Sequence, residues 1–287
     1  MTAAQFTTWL ADPARRGLVM GILNVTPDSF SDAGQFLDPG RATEHGLRML
    51  AQGADLIDLG GESTRPGSQR VEVAQQLQRI LPVLQALRRQ TQAVISVDTT
   101  RCAVAKAALD HGATLVNDIS AGRDDPDMLP LVASASVPII LMHMQGQPAT
   151  MQQAPTYNDV VAEVGLFLRQ RLDAALAAGI SQHTLLLDPG IGFGKTVEHN
   201  LQLLQGLPLL CSTGRPLVIG TSRKRFLSAV LGDDTPSARL MGTAATVAWS
   251  LANGAAIVRV HDVEPAAQVA RMILALRGQK TGGQNLK

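Results

Sequence analysis

Eight times along the chain, a short run of apolar residues ends on a polar one and gives way to a segment with helical spacing. The runs are Leu18–Val25, Asp55–Leu59, Val94–Val97, Thr114–Val116, Val137–Met142, Leu185–Leu187, Pro216–Ile219 and Ala256–Val260. They have no polar face, as expected of parallel strands covered on both sides. Between them, Arg41–Gln52, Glu72–Arg89, Ala103–Asp110, Asp127–Ser134, Asn158–Ala178, the stretch around Leu201–Leu204, Ser237–Ala252 and Pro265–Leu276 carry apolar residues at helical intervals. Eight strand–helix units in 287 residues predict a single (β/α)8 TIM barrel, a fold of about 250 residues. A doubly wound open sheet usually has fewer strands and would carry a phosphate fingerprint after its first. The expected domain is one barrel over 1–287, with its core at about 18–278, a lead-in at 1–17 and a flexible tail at 280–287.

Composition narrows the partners. With 25 basic and 24 acidic residues, and no basic face evident, a general nucleic-acid partner is disfavoured. Cys102 and Cys211 lack metal-ligand spacing and read as reduced thiols. No segment has signal-peptide character, and no apolar run approaches the roughly 18 residues of a membrane span, so a soluble cytoplasmic protein is expected.

Function in such a barrel gathers at the C-terminal strand ends. The sixth unit, T-L-L-L-D-P-G-I-G-F-G-K (Thr184–Lys195), puts Asp188 at a strand exit before a loop with few side chains. It is a poor P-loop, because Pro189 stands where that motif needs glycine, and its G-x-G-x-G is not a dinucleotide fingerprint. The other polar tips are Asn24, Glu62 to Arg65, Asp98, Asn117, His143, Lys224, Arg259 and His261, and all are expected to converge on one pocket. Asp98, Asn117 and Asp188 suit a heterocycle rich in N–H groups, since a carboxylate accepts two parallel N–H bonds. Asn24, Arg259 and His261, on the first and last strands, suit a diphosphate with its divalent metal. Any one of these has a duller reading, such as a helix cap or a peripheral ion pair. Polar groups on nearly every strand exit are what a purely structural barrel does not need.

G-I-L-N-V-T-P-D-S-F-S-D-A-G (Gly21–Gly34) and D-L-G-G-E-S-T-R-P-G (Asp58–Gly67) closely resemble the signature stretches of dihydropteroate synthase. So do S-V-D-T, V-N-D-I-S, M-H-M-Q-G-x-P-x-T-M-Q, D-P-G-I-G-F-G-K, S-R-K and R-V-H-D-V, in order along the chain. The resemblance implies condensation of 6-hydroxymethyl-7,8-dihydropterin diphosphate with p-aminobenzoate, by an SN1-like path, in folate biosynthesis. It implies a pterin site of Asp98, Asn117, Ile119, Met142, Asp188, Gly220 and Lys224. Asn24, Arg259 and His261 would hold diphosphate, with Asn24 on Mg2+. Phe30, Ser31, Asp32, Thr64, Arg65, Pro66, Phe193 and Lys224 would shape the p-aminobenzoate pocket and its loops, with Ser222 and Arg225 beside it. Asp98, Lys224, Arg259 and His261 would carry the chemistry. A homodimer through the C-terminal helices is implied as well, because Ser237–Ala252 is apolar nearly all round. The rivals are a pterin-dependent corrinoid methyltransferase, which has no use for a diphosphate site, and a catalytically silent pterin-binding paralogue.

Overall fold

The computed structural model describes residues 1–26, 38–64 and 67–278. Its eight parallel strands are β1 Leu18–Asn24, β2 Leu56–Gly60, β3 Val94–Asp98, β4 Leu115–Asp118, β5 Ile139–Met142, β6 Leu185–Asp188, β7 Val218–Ile219 and β8 Ile257–Val260. They pair in the order β6-β5-β4-β3-β2-β1-β8-β7. A bridge between Leu187 and Leu217 joins β6 to β7 and completes the ring. The helices in chain order are α1 Ala3–Ala11, α2 Pro39–Ala51, α3 Val73–Arg88, α4 Cys102–Asp110, α5 Met128–Ala135, α6 Val160–Ala177, α7 Val197–Gln205, α8 Leu207–Cys211, α9 Arg225–Leu231, α10 Pro236–Ala252 and α11 Val263–Leu276. This is the expected (β/α)8 barrel, with Pro82 accommodated inside an unbroken α3.

Side chains alternate across each strand, and the alternation sorts the barrel into two cores. Val19, Leu23, Ile57, Leu59, Ile95 and Val97 face the helices. Leu18, Met20, Leu56, Val94, Leu115, Ile140, Leu186, Val218 and Ile257 fill the N-terminal half of the interior. Counting onward in steps of two from this inner set reaches Asn24, Asp58, Gly60, Asp98, Asn117, Met142, Asp188, Gly220 and Arg259. The site therefore stands on the apolar layer.

The lead-in at 1–17 carries a helix of its own. Residues 3–11 form α1, started by a capping box in which Thr2 and Gln5 bond each other's backbones. Phe6, Trp9 and Leu10 of α1 close the barrel's N-terminal end against the inner apolar set. Phe6 and Trp9 stack at 5.3 Å, and Trp9 Nε1 donates to the Arg16 carbonyl at 2.8 Å. The helices α8 and α9 were also absent from the sequence reading. Among the described residues, no helix is long and apolar enough to cross a membrane.

Since α1 plugs the end opposite the polar strand tips, losing its anchor should cost stability rather than chemistry. Trp9→Ala is expected to lower the unfolding free energy by about 3–5 kcal/mol in urea titrations, the usual range for an aromatic core truncation. Turnover per folded molecule should stay unchanged.

Candidate active site

The centre of the mouth is an ion cluster inside the barrel. Arg259, on β8, sends its guanidinium across the interior. Its Nε donates to Asp58 Oδ2 at 2.6 Å and its Nη2 to Asp98 Oδ2 at 2.7 Å. Asn117 Nδ2 donates to the same Asp58 oxygen at 3.0 Å. Asp58 is fully buried, and Asp98 and Asn117 nearly so. Burial pushes the Asp98 carboxyl up, Arg259 pulls it down and Asp58 adds to the rise, leaving it at about 7. Burial lowers the Arg259 pKa, but Asp58 and Asp98 more than reverse this, so the guanidinium is held charged.

This corrects one part of the sequence reading. Arg259 does not stand only with Asn24 and His261; it joins that flank to the pterin acids through Asp98. Asp58 was missed altogether as a site residue. Its signal was its inward parity, two residues before Gly60 on a strand whose buried positions are otherwise apolar or glycine. Asn24 sits level with Gly60, and Gly60 level with Asp98, in the strand register. A Cβ built on Gly60 would lie 3.3 Å from Asn24 Oδ1 and 3.5 Å from Asp98 Cβ, which places these two side chains around one glycine.

Beside the cluster, Asp188 Oδ1 accepts the Gly190 N–H at 2.6 Å. Burial raises the Asp188 pKa against that hydrogen bond and the charge of Lys224. Lys224 Nζ donates to the Ile191 carbonyl and stands 4.5 Å from the centre of the Phe193 ring. Burial of this ammonium lowers it to about 7, opposed by Asp188 and helped by Arg259. Gly220 lies next to Arg259 Cβ, 3.8 Å from where its own Cβ would stand. Ile119, Met142 and Phe193 form one small apolar cluster, which Met144 and Met151 complete.

Ser222 and His261 meet twice: Ser222 Oγ accepts the His261 N–H at 3.1 Å and lies 3.0 Å from Nδ1. The next residues repeat the link, with Arg223 clamped on Asp262 through bonds of 2.9 and 2.5 Å. Arg223 is in the left-handed region, at φ 58°, which turns the loop toward β8. Arg225 opens α9 and is exposed. Thr64 shares a cavity of about 200 Å³ with Asp98, Thr99, Ile119 and Gln147. Phe30, Ser31, Asp32, Arg65 and Pro66 lie outside the described residues.

His143 does not join the other tips. It follows inward-facing Met142, so its ring turns toward the helices and packs edge-on against Phe167 at 4.8 Å. Among the described residues, no group of three His, Cys, Asp or Glu side chains is placed to hold a metal.

The mouth of this barrel thus pairs buried carboxylates with an amide and two cations, beside the apolar cluster of Ile119, Met142 and Phe193. Residues 20–261 match the pterin binding enzyme family. Dihydropteroate synthase of Mycobacterium leprae is 48% identical over 261 residues, covering 89% of this chain and 92% of that protein. A structure of Xanthomonas albilineans dihydropteroate synthase with 4-aminobenzoic acid superposes with a TM-score of 0.86 at 45% identity, covering 92% of this chain and 94% of that one. The same enzyme in complex with 7,8-dihydropteroate gives a TM-score of 0.83 at 43% identity, with coverage of 92% and 95%. The chain belongs to the dihydropteroate synthase family.

Removing one carboxylate should test the cluster directly. Asp58→Ala leaves Arg259 and Asn117 without a shared buried acceptor, and breaking a buried pair typically costs about 3–5 kcal/mol. A loss of that size in chemical denaturation is expected. The Asp98 carboxyl should also titrate lower, by carboxyl NMR, because a neighbouring negative charge is gone.

Proposed function

We propose that the chain condenses 6-hydroxymethyl-7,8-dihydropterin diphosphate with p-aminobenzoate, giving 7,8-dihydropteroate and diphosphate. The observation that carries this is the cluster itself: Arg259 bonded to Asp98 and Asp58, with Asn117 on Asp58, and Asp188 within electrostatic reach of both Arg259 and Lys224. Asp188 and Asn117 read the N–H and amide edge of the pterin, between Met142 and Ile119. Lys224 donates to a pterin carbonyl or nitrogen, and Gly220 leaves room beside Arg259.

Bond breaking comes first. The bond between the pterin methylene and the diphosphate oxygen opens, its electron pair leaves with diphosphate, and the methylene becomes cationic. Asp98, as carboxylate, stabilises that cation. Arg259, His261 and Asn24 meet the departing diphosphate. The amine of p-aminobenzoate then supplies the pair for the new C–N bond and sheds a proton. Thr64, Arg65, Pro66 and Phe193 shape its pocket, with Phe30, Ser31 and Asp32 on the first loop and Ser222 and Arg225 beside them.

Mg2+ fits this arrangement as a partner of the substrate. It keeps several waters and phosphate oxygens around it and needs only one or two protein ligands. The carboxamide oxygen of Asn24, at the Gly60 backbone beside Asp98, is the protein ligand proposed here. When bound, the ion would neutralise charge on the leaving diphosphate. A corrinoid methyltransferase would share the pterin acids and release no diphosphate.

The test is turnover with both substrates and Mg2+, following diphosphate and dihydropteroate together; release without condensation, or neither, would count against the reading. Arg259→Ala should lower kcat/KM by about a hundredfold or more, as loss of a preorganised charge does. Ionised Asp98 and protonated Lys224 are both required. The pH profile of kcat/KM should therefore rise and then fall around pH 7, a narrow bell. Asp98→Asn should remove the rising limb and lower kcat far more than pterin affinity.

The homodimer is proposed on the C-terminal helices. Met241 and Trp249 of α10 are 65% and 49% exposed, and Met272 and Leu276 of α11 are 62% and 76%. A second copy covering them would bury a patch that the barrel leaves open. Sedimentation should give twice the 30.4 kDa chain mass, and Met241→Glu combined with Met272→Glu should return it to one chain.

A further inference from the structure

The loop after β6 carries two groups of the proposed site, the Ile191 carbonyl under Lys224 and the Phe193 ring. Its glycines leave few side chains to hold it. A Cβ on Gly190 would lie 1.8 Å from the His143 carbonyl oxygen, and one on Gly194 would lie 2.4 Å from that of Gln145. The backbone therefore lies directly on the exit of β5, in conformations (φ 67° and 65°) that suit glycine.

Lys195 reaches the loop from the side away from the mouth. It is 3% exposed. Its Nζ donates to the Phe193 carbonyl at 3.0 Å and lies 3.0 Å from His143 Nδ1. Burial, Lys195 and Arg123 keep the His143 imidazole neutral, so Nδ1 is free to accept. Tyr157 adds its hydroxyl to the Gly194 carbonyl at 2.9 Å. Burial lowers the pKa of this amine well below its ordinary value, against the charge of Asp188, and leaves it a carbonyl and an imidazole as hydrogen-bond partners.

We propose that Lys195 is a positioning residue for p-aminobenzoate: by gripping the Phe193 carbonyl from below, it sets the ring that faces Lys224. This rests on the dihydropteroate synthase reading. The loop is held by a lysine on each side, Lys224 at the Ile191 carbonyl and Lys195 at the Phe193 carbonyl. Asp188 keeps its own hydrogen bonds, from the His143 N–H on its carbonyl at 2.9 Å and the Gly190 N–H on its carboxylate, although the charge of Lys195 also acts on it. Loss of the Phe193 anchor should therefore weigh more on p-aminobenzoate than on the pterin.

Lys195→Met, Lys195→Gln and His143→Leu can be compared with the unaltered full chain. The readouts are KM for p-aminobenzoate, kcat, and calorimetric affinity for 6-hydroxymethylpterin, which lacks a leaving group. Lys195→Met should raise the p-aminobenzoate KM roughly tenfold, the scale of one lost hydrogen bond, with pterin affinity held within about threefold. Lys195→Gln, whose carboxamide donates to the same carbonyl, should recover most of that. His143→Leu removes one anchor of the ammonium and should shift KM the same way by less; it carries the test if Lys195→Met does not fold. The inference is overturned if either apolar variant keeps the native KM, if both ligands weaken equally, or if only thermal stability falls. It is also overturned if the glutamine variant is as impaired as the methionine one. A native chain that makes no dihydropteroate overturns the functional reading, and this inference with it; an active native chain with indifferent Lys195 variants overturns this inference alone.

Discussion

One guanidinium lets buried polar side chains occupy the interior of this barrel. Asp58 has no exposure to water, and an unpaired carboxylate there would be expelled or neutralised. Arg259 and Asn117 both bond its Oδ2, and the other arm of Arg259 holds Asp98. Among the described residues, Asp58, Asp98 and Asp188 share the mouth with Arg259 and Lys224, and Lys195 also acts on Asp188. Burial is the main reason Asp98 is pushed up to about 7, with neighbouring Asp58 adding to the rise and Arg259 opposing it. A buried carboxylate raised in this way is suited to a reaction in which the bound molecule itself becomes a cation.

The cluster holds its place because the barrel beneath it is solid. Inward positions nearer the strand starts are Leu, Met, Val and Ile, closed from below by Phe6 and Trp9. Inward positions nearer the strand ends are Asp, Asn, Gly and Arg, with Met142 the one apolar member of the set. The change follows from the alternation alone: on β2, β4, β6 and β8 one step of two residues carries the interior from Leu56, Leu115, Leu186 and Ile257 to Asp58, Asn117, Asp188 and Arg259. Low polarity below strengthens each charge contact above.

Most of this was legible in the sequence, and the exceptions share a cause. The strands and larger helices read clearly because their burial repeats at fixed periods. Asp98, Asn117, Asp188 and Lys224 read clearly because they follow apolar runs. Asp58 did not, because one acid inside a run looks like noise unless the inward parity is counted. His143 misled for the same reason: a polar residue at a strand tip faces the mouth or the helices according to parity, and its parity is outward. α1 was hidden by length, although Thr2 and Gln5 already spelled its capping box. The partnership of Arg259 with Asp98 spans 161 residues of sequence, a contact that no local pattern encodes.

That long contact also changes how the two flanks of the mouth relate. Read separately, the pterin acids and the diphosphate ligands are two sites that happen to adjoin. Arg259 makes them one electrostatic unit, because a guanidinium drawn toward a diphosphate neutralises Asp98 less. In the proposed reaction, the charge growing on the leaving group and the charge growing on the methylene would be met by the two ends of a single ion pair. As the bond between them lengthened, attraction of Arg259 to the first would expose more of Asp98 to the second. The stabilisation of both fragments would then rise together, which is what a dissociative path requires of the protein around it.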